Sequence, residues 1–371
     1  MIIIILSLIF VRPFICSLVY PGLNAVFSAL LFISLGIYLH YKKPPLTKIT
    51  ALQYPVILFC AALLISVACS QDKFKSAAEL YKYAGGLLLF FAASSLSNED
   101  KTKTIRIIVL AGLIISAWVL YQYFFGFQRA LEYMAREKIV SAFASDYLQR
   151  KRVFLPFITP NVLGGYLAML IPLTLIKKNG IWYTLPISCA LLCTKSLGAF
   201  LSLFIAMAVY FYILKGPKRK IILSLSGLSI LVAAVFIARF SSQKEHLGPI
   251  FSTLMRLHYW QDTLAVISMH PFVGVGLGNF KLAISGFAHN SYLQIWAETG
   301  TAGIISFAAF LITAHSLKNK NPCNDTMGAA LTAASAVFII HNFVDFTFFL
   351  PEVALIWWCL LGLRMAGETS S

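Results

Sequence analysis

Charge is scarce in this chain and negative charge scarcer: charged residues make up 12%, with 14 Asp and Glu against 30 Lys and Arg. A soluble domain carries about twice that share of charge, so an ordinary water-soluble globule is excluded. Cysteine pairing signals are missing too. The seven cysteines (Cys16, Cys60, Cys69, Cys189, Cys193, Cys323 and Cys359) are odd in number, form no CxxC pair and fall mostly in apolar stretches. They read as small buried hydrophobes, not as a disulfide framework or a metal site. The glycine-rich run Gly274 to Gly278 lacks a following Gly-Lys-Ser/Thr and any βαβ context, which excludes a P-loop. Met1 to Phe10 has no basic n-region and no small-residue cleavage site, so no cleavable signal peptide is expected. Internal repeats, low-complexity linkers and any segment reading as a soluble domain are also missing.

What remains is apolar: 59% of residues are hydrophobic and the mean hydropathy is +0.80. Stretches near twenty residues recur along the whole length, predicting an all-α integral membrane protein of about twelve transmembrane helices in one polytopic domain, 1–371. The expected spans are 1–20, 22–40, 51–69, 81–97, 104–125, 160–176, 181–194, 197–214, 221–238, 290–316, 326–343 and 346–363. Arg12-Pro13 interrupts the first. Alternate short loops are basic: Lys42 to Lys48, Lys101 to Arg106, Lys177-Lys178, Lys215 to Lys220, Lys318 to Lys320, then Arg364. The positive-inside rule places these and both termini in the cytoplasm. Two long loops, 126–159 and 239–289, are then external. A net charge of +16 fits orientation signals and anionic lipid or phosphate ligands better than nucleic acid.

The residues with chemical potential gather on the outer side. His289-Asn290 stands at the mouth of the 290–316 span, and histidine suits proton transfer near neutral pH. At roughly 100° per residue, Gly300 and Gly303 fall near the stripe of His289, where small residues let a neighbouring helix approach. Arg256, in Arg256-Leu257-His258-Tyr259-Trp260, carries a planar fork that suits phosphate or pyrophosphate; an interfacial lipid anchor is the alternative. Arg150-Lys151-Arg152 makes an outward anion patch or a headgroup contact, and Thr159-Pro160-Asn161 is a reasonable helix start. A tight turn at Gly274 to Gly278 is preferred over an anion nest. Glu298, nine residues from His289, points to the other helix face, as a functional carboxylate or a buried hydrogen-bonding group. His341 and Asp345, four residues apart, share a face and suit an acceptor-binding or supporting role. A zinc site joining them to His289 lacks a further dedicated ligand, and no metal is expected.

The chain resembles the O-antigen ligase/polymerase family of bacterial membrane glycosyltransferases. The resemblance rests on Arg256 to Trp260, Pro271 to Phe280, His289-Asn290 with Gly300 and Gly303, and His341 to Asp345, with Arg152 to Asn161 similar to an earlier family element. These motifs cover residues 150–350, and the span pattern extends the likeness over nearly the whole chain. The resemblance implies a GT-C-like fold in the bacterial inner membrane. It also implies transfer of glycan from undecaprenyl pyrophosphate to an acceptor hydroxyl on the periplasmic face, inverting and without cofactor or metal. On this reading His289 is the general base or orienter of the hydroxyl, and Arg256 with Arg152 or Arg150 holds the pyrophosphate. Asn161, Asn290, His341 and Asp345 contribute to substrate binding. Many relatives carry Arg after a Ser where this chain reads Lys195-Ser196-Leu197-Gly198. Leu197 cannot bind phosphate, and Lys195 offers only a flexible point charge.

Ligation to lipid A–core leads. A polymerase of the same superfamily uses the same motifs. A lipid-linked glycan transporter would show related halves and charges at the bilayer midplane, whereas here the cations lie at the outer face. A family member made inactive by Leu197 is the remaining alternative.

Overall fold

The computed structural model describes residues 2–42, 50–136, 147–148, 150–177, 179–215, 221–222, 226–230, 232–234, 237, 249–316 and 325–365. Every regular element among them is helical. In chain order these are α1 (Ile2–Val11), a 3-10 turn (Arg12–Phe14), α2 (Pro21–Lys42), α3 (Thr50–Cys69), α4 (Lys73–Ser94) and α5 (Asn98–Tyr121). A π turn (Gln122–Gly126) carries α5 into α6 (Phe127–Arg136). There follow α7 (Pro160–Thr174), α8 (Ile181–Thr194), α9 (Leu197–Leu214), α10 (Pro249–Met269), α11 (Ser291–Ser316), α12 (Asp325–His341), a 3-10 turn (Thr347–Phe349) and α13 (Pro351–Met365).

Five described helical stretches are long and apolar enough to cross a membrane: Pro21–Lys42, Ala51–Cys69, Asn98–Tyr133, Leu197–Leu214 and Ser291–Ser316. Shorter apolar helices accompany them at Ile2–Phe14, Pro160–Thr174, Ile181–Thr194 and Thr326–His341. The expected first span, 1–20, is an α-helix only to Val11. Arg12-Pro13 then turns the chain, and Arg12 pairs with Glu352 of α13 at 3.0 Å with both side chains buried. Span 81–97 is part of a helix that starts at Lys73, where Asp72 accepts from Lys75 N. Of span 221–238, residues 221–222, 226–230, 232–234 and 237 are described and helical; the rest of it, and 239–248 of the second expected loop, lie outside the described residues. The rest of that loop is not all loop: α10 fills Pro249–Met269. Its polar insertions (Arg256, His258, Gln261, Asp262) hid a helix whose inward stripe is Ser252, Arg256, Tyr259, Trp260 and Thr263, at the spacing of one helical face.

The core is built by α13 against α4, and by α12 against α7 and α9. Small residues permit the closest approaches. The Trp358 ring occupies the space a side chain at Gly86 would need, and Phe90 and Ala93 crowd Gly362. Six cysteines are described and all are free; Cys16, Cys193 and Cys359 are buried as expected, while Cys69 is exposed.

Against α11 lies α3. The expected stripe of Gly300 and Gly303 is corrected by a break in α11: Gly300 has φ 68° and ψ −175°, outside helical geometry. Backbone groups freed by the break are satisfied by the glycine run. Val275 N donates to Ala297 O (2.9 Å), Gly276 N to Glu298 O (3.1 Å), and Thr301 N to Pro271 O (2.9 Å). Ser66 Oγ of α3 also donates to Glu298 O at 2.7 Å. What presses on Gly300 is therefore the backbone of Phe272 and Val273, not a neighbouring helix. At Gly303 the space is taken by Thr299 of the same helix. A buried backbone without partners costs kilocalories, so a break and the loop that completes it must occur together.

Candidate functional site

Four elements converge at one end of the bundle: the inward face of α10, the starts of α7 and α9, and the end of α12 with the turn after it. Between them lies a cavity of about 80 Å³ lined by Asn161, Leu197, Gly198, Ser252, Thr253, Arg256, His341, Val344 and Asp345. Whole-ligand pockets run from about 300 to 1,000 Å³, so this one has room for only part of a ligand of that size.

His341 is buried at its centre. Its Nε2 lies 3.5 Å from Asp345 Oδ2 and 3.2 Å from the carbonyl of Asn161. The ring fits because α7 presents Gly165 beneath it, where a side chain would collide, while Gly198 of α9 leaves the other side open. Asp345 accepts from Phe346 N at 2.7 Å, and its carbonyl accepts from Ser291 N at 3.1 Å. Asn342 Oδ1 accepts from Ser291 Oγ (2.5 Å) and Phe348 N (2.9 Å). The turn after α12 thus clamps the first residue of α11 and fixes the approach to His289.

His289 lies just before α11 with φ 52°, so it is not a residue of that helix. Its ring stacks on Tyr259 (centroids 5.2 Å, 19° between planes) and meets Phe346 edge-on (4.8 Å, 89°). Phe346 is held in turn by Phe287 at 4.2 Å. The backbone carbonyl of His289 accepts from Trp260 Nε1 at 3.4 Å. The ring is half-buried beside the cavity and does not line it. Burial pulls its pKa from the usual 6.5 to about 4; Asp345 opposes that shift and Arg256 adds to it. The ring is therefore uncharged at pH 7, with one ring nitrogen carrying a free lone pair.

The other sequence candidates separate into four groups. Arg256, Asn161, His341 and Asp345 are brought together at the cavity. Arg256 Nη1 donates to Ser252 Oγ at 3.4 Å, one turn back on α10. Arg152 lies behind this group and is engaged with protein: Nε donates to Thr194 O and Nη2 to Asn161 Oδ1, both at 3.0 Å. It orients Asn161 and does not line the cavity. Lys195 ends α8 in a left-handed conformation and donates through Nζ to Arg150 O at 2.9 Å. Burial pulls the Lys195 ammonium below its ordinary value, and nearby Arg152 adds to the effect. Neither Lys195 nor Arg150 lines the cavity. Asn290 caps α11, its Oδ1 accepting from Tyr292 N (3.0 Å) and Leu293 N (3.1 Å). Thr159 likewise caps α7, accepting from Val162 N at 3.2 Å with Pro160 at the first helical position. Gly300 and Gly303 belong to the helix break.

Sequence reasoning passed over Tyr259 and Phe346 as the walls of His289, and Gly165 and Gly198 as the cradle of His341. Tyr259 was legible, since it lies three residues after Arg256 and so shares its helical face once α10 is known. Glu298 is buried in α11, where its Oε1 accepts from Gln294 Nε2 at 3.0 Å; Gln294 Oε1 accepts from Ala288 N at 3.1 Å. That chain braces the residue preceding His289, as a buried hydrogen-bonding group would.

Residues 182–308 match a family model described as O-antigen ligase, which supports the resemblance to the O-antigen ligase/polymerase family. The matched stretch holds Leu197, Arg256, Gly274 to Gly278, His289, Asn290, Gly300 and Gly303. Arg150, Arg152, Asn161, His341 and Asp345 lie outside it. No curated protein matches the chain.

Proposed function

We propose that this chain is a glycosyltransferase of the bacterial inner membrane that moves a glycan from undecaprenyl pyrophosphate to an acceptor hydroxyl, with lipid A–core as acceptor. The observation that carries the reading is a neutral, ring-stacked His289 beside a small cavity whose lining includes Arg256. Arg256 provides a forked donor for the leaving pyrophosphate, whose charge grows as the anomeric carbon–oxygen bond breaks. The acceptor oxygen attacks the anomeric carbon from the opposite side, its proton passes to the His289 ring, and configuration inverts. Asn161 and the His341–Asp345 pair set the remaining polar wall, with Arg152 positioning Asn161. Both termini are cytoplasmic and the site faces the periplasm, which follows from the basic loops at the other end of the helices.

The test is transfer by purified protein with undecaprenyl-pyrophosphate-linked glycan and lipid A–core, with and without EDTA. Glycan on lipid A–core, unaffected by EDTA and lost in a well-folded His289→Ala, supports the proposal. Longer glycan still on undecaprenyl makes the protein a polymerase instead. Undiminished transfer by His289→Ala removes His289 from the chemistry.

A further inference from the structure

A second cavity lies away from this site. A cleft of about 330 Å³ opens between α5, α7, α8 and α12, walled by Val109, Leu110, Leu113, Leu173 and Met327, with Arg106, Lys177 and Tyr183 also lining it. Its place in the fold follows from chain direction. Asn161 and His341, at the catalytic cavity, stand at the start of α7 and the end of α12. Leu173 and Met327, in the cleft, stand at the opposite ends of the same helices. Over the fifteen residues of α7 that separation is about 20 Å. The two cavities therefore open toward opposite leaflets.

The lining is apolar except for Arg106, Lys177, Tyr183 and two threonines, and it contains no carboxylate. Arg106 and Lys177 are both exposed. Among the described residues neither forms an ion pair with an Asp or Glu. The Lys177 ammonium sits 5.6 Å over the Tyr183 ring, which holds it at the cleft. An apolar slot of ligand size, edged by two exposed cations at the end of a membrane helix bundle, matches a hydrocarbon chain ending in an anionic headgroup.

We infer that the cleft between α5, α7, α8 and α12 holds one acyl chain of an anionic phospholipid, whose phosphate is met by Arg106 and Lys177. The site lies in the leaflet opposite the catalytic cavity and is separate from the glycan donor. Its occupant ties α5 to α7 and α12, the helices that carry Asn161 and His341 at their far ends.

The experiment is native mass spectrometry of the purified full-length protein, stripped of lipid in neutral detergent and titrated with phosphatidylglycerol or phosphatidylcholine. Phosphatidylglycerol should be retained in preference. Arg106→Gln with Lys177→Gln should reduce that preference about 30-fold, equivalent to ~1 kcal/mol for each cation. Leu113→Trp, which fills the slot, should weaken both lipids. Lys73→Gln with Lys75→Gln, exposed cations at the start of α4, should change nothing. Equal retention of the two lipids, or a preference that survives the Arg106 and Lys177 substitutions, overturns the inference.

Discussion

Covering His289 with aromatic rings should move the acid limb of the pH–rate profile far below the usual histidine range. Burial is the largest cause of its depression to about 4, and the Tyr259 ring covers one face at 5.2 Å. At pH 5.5 a group of pKa 4 is about 97% neutral, whereas an ordinary histidine of pKa 6.5 is about 9% neutral. The native protein should therefore keep kcat/KM nearly constant from pH 7.5 to 5.5. Tyr259→Ala admits water to the ring, so its pKa rises toward 6.5 and kcat/KM at pH 5.5 falls up to about tenfold relative to pH 7.5.

Donor binding acts in the same direction. A pyrophosphate on Arg256 offsets the cation that helps depress His289, so kcat should show a higher acid limb than kcat/KM. The stability sign agrees: between about 4 and 6.5 the unfolded chain binds the proton that the folded His289 refuses, so His289 contributes stability above pH 6.5 that is lost as pH falls through that window. The assay is glycan transfer at subsaturating donor over pH 4.5 to 8, with each variant checked for monodisperse extraction. A native acid limb near 6.5 refutes the burial argument. So does a Tyr259→Ala profile lowered equally at every pH.

Arg256→Lys should lose nearly as much activity as Arg256→Ala, on the order of 10²-fold, because a point charge cannot replace a fork; near-normal turnover by the lysine variant would mean that charge alone suffices. Leu197→Arg puts a second cation in the wall of the 80 Å³ cavity and should lower the donor KM several-fold; an unchanged donor KM would place the pyrophosphate elsewhere. Gly300→Ala sets a side chain against the Phe272 and Val273 backbone at a φ of 68° and should cost about 1–3 kcal/mol in backbone strain alone, read as a lower thermal midpoint in detergent. A midpoint equal to the native one would show that the break tolerates a side chain.

Much of the helical architecture was legible because lipid and core both demand long apolar runs. The expected spans 22–40, 51–69, 160–176, 181–194, 197–214 and 290–316 each coincide with a helix within a few residues. The failures share a cause. Hydropathy reads α10 as loop because its polar stripe faces the site rather than lipid, and that stripe carries Arg256. A periodicity argument drew α11 through Gly300 as a regular helix because a break is stabilised by partners distant in sequence, at Pro271 to Gly276. Arg12 looked like an interruption because Glu352, its partner, lies 340 residues away. Long-range pairing has no local signature.

The charge of the cavity follows from the same distinction between residue type and placement. Four cations entered as candidates for the donor: Arg150, Arg152, Lys195 and Arg256. In the structure Arg152 is held by Thr194 and Asn161, and Lys195 by Arg150 O. Among the described residues Arg256 is then the one Lys or Arg lining the cavity, with the apolar Leu197 also in its wall. One fork binds a pyrophosphate far less firmly than two, since each charge-assisted contact contributes about 1.5–3 kcal/mol. On the proposed reading, a donor carried in the bilayer by its polyprenyl chain would reach the site at high local concentration, so that weak headgroup contacts suffice for occupancy. A single cation also releases the cleaved pyrophosphate more readily. If Leu197→Arg tightens the donor but slows turnover, product departure limits the native reaction; if both improve, binding of the donor limits it.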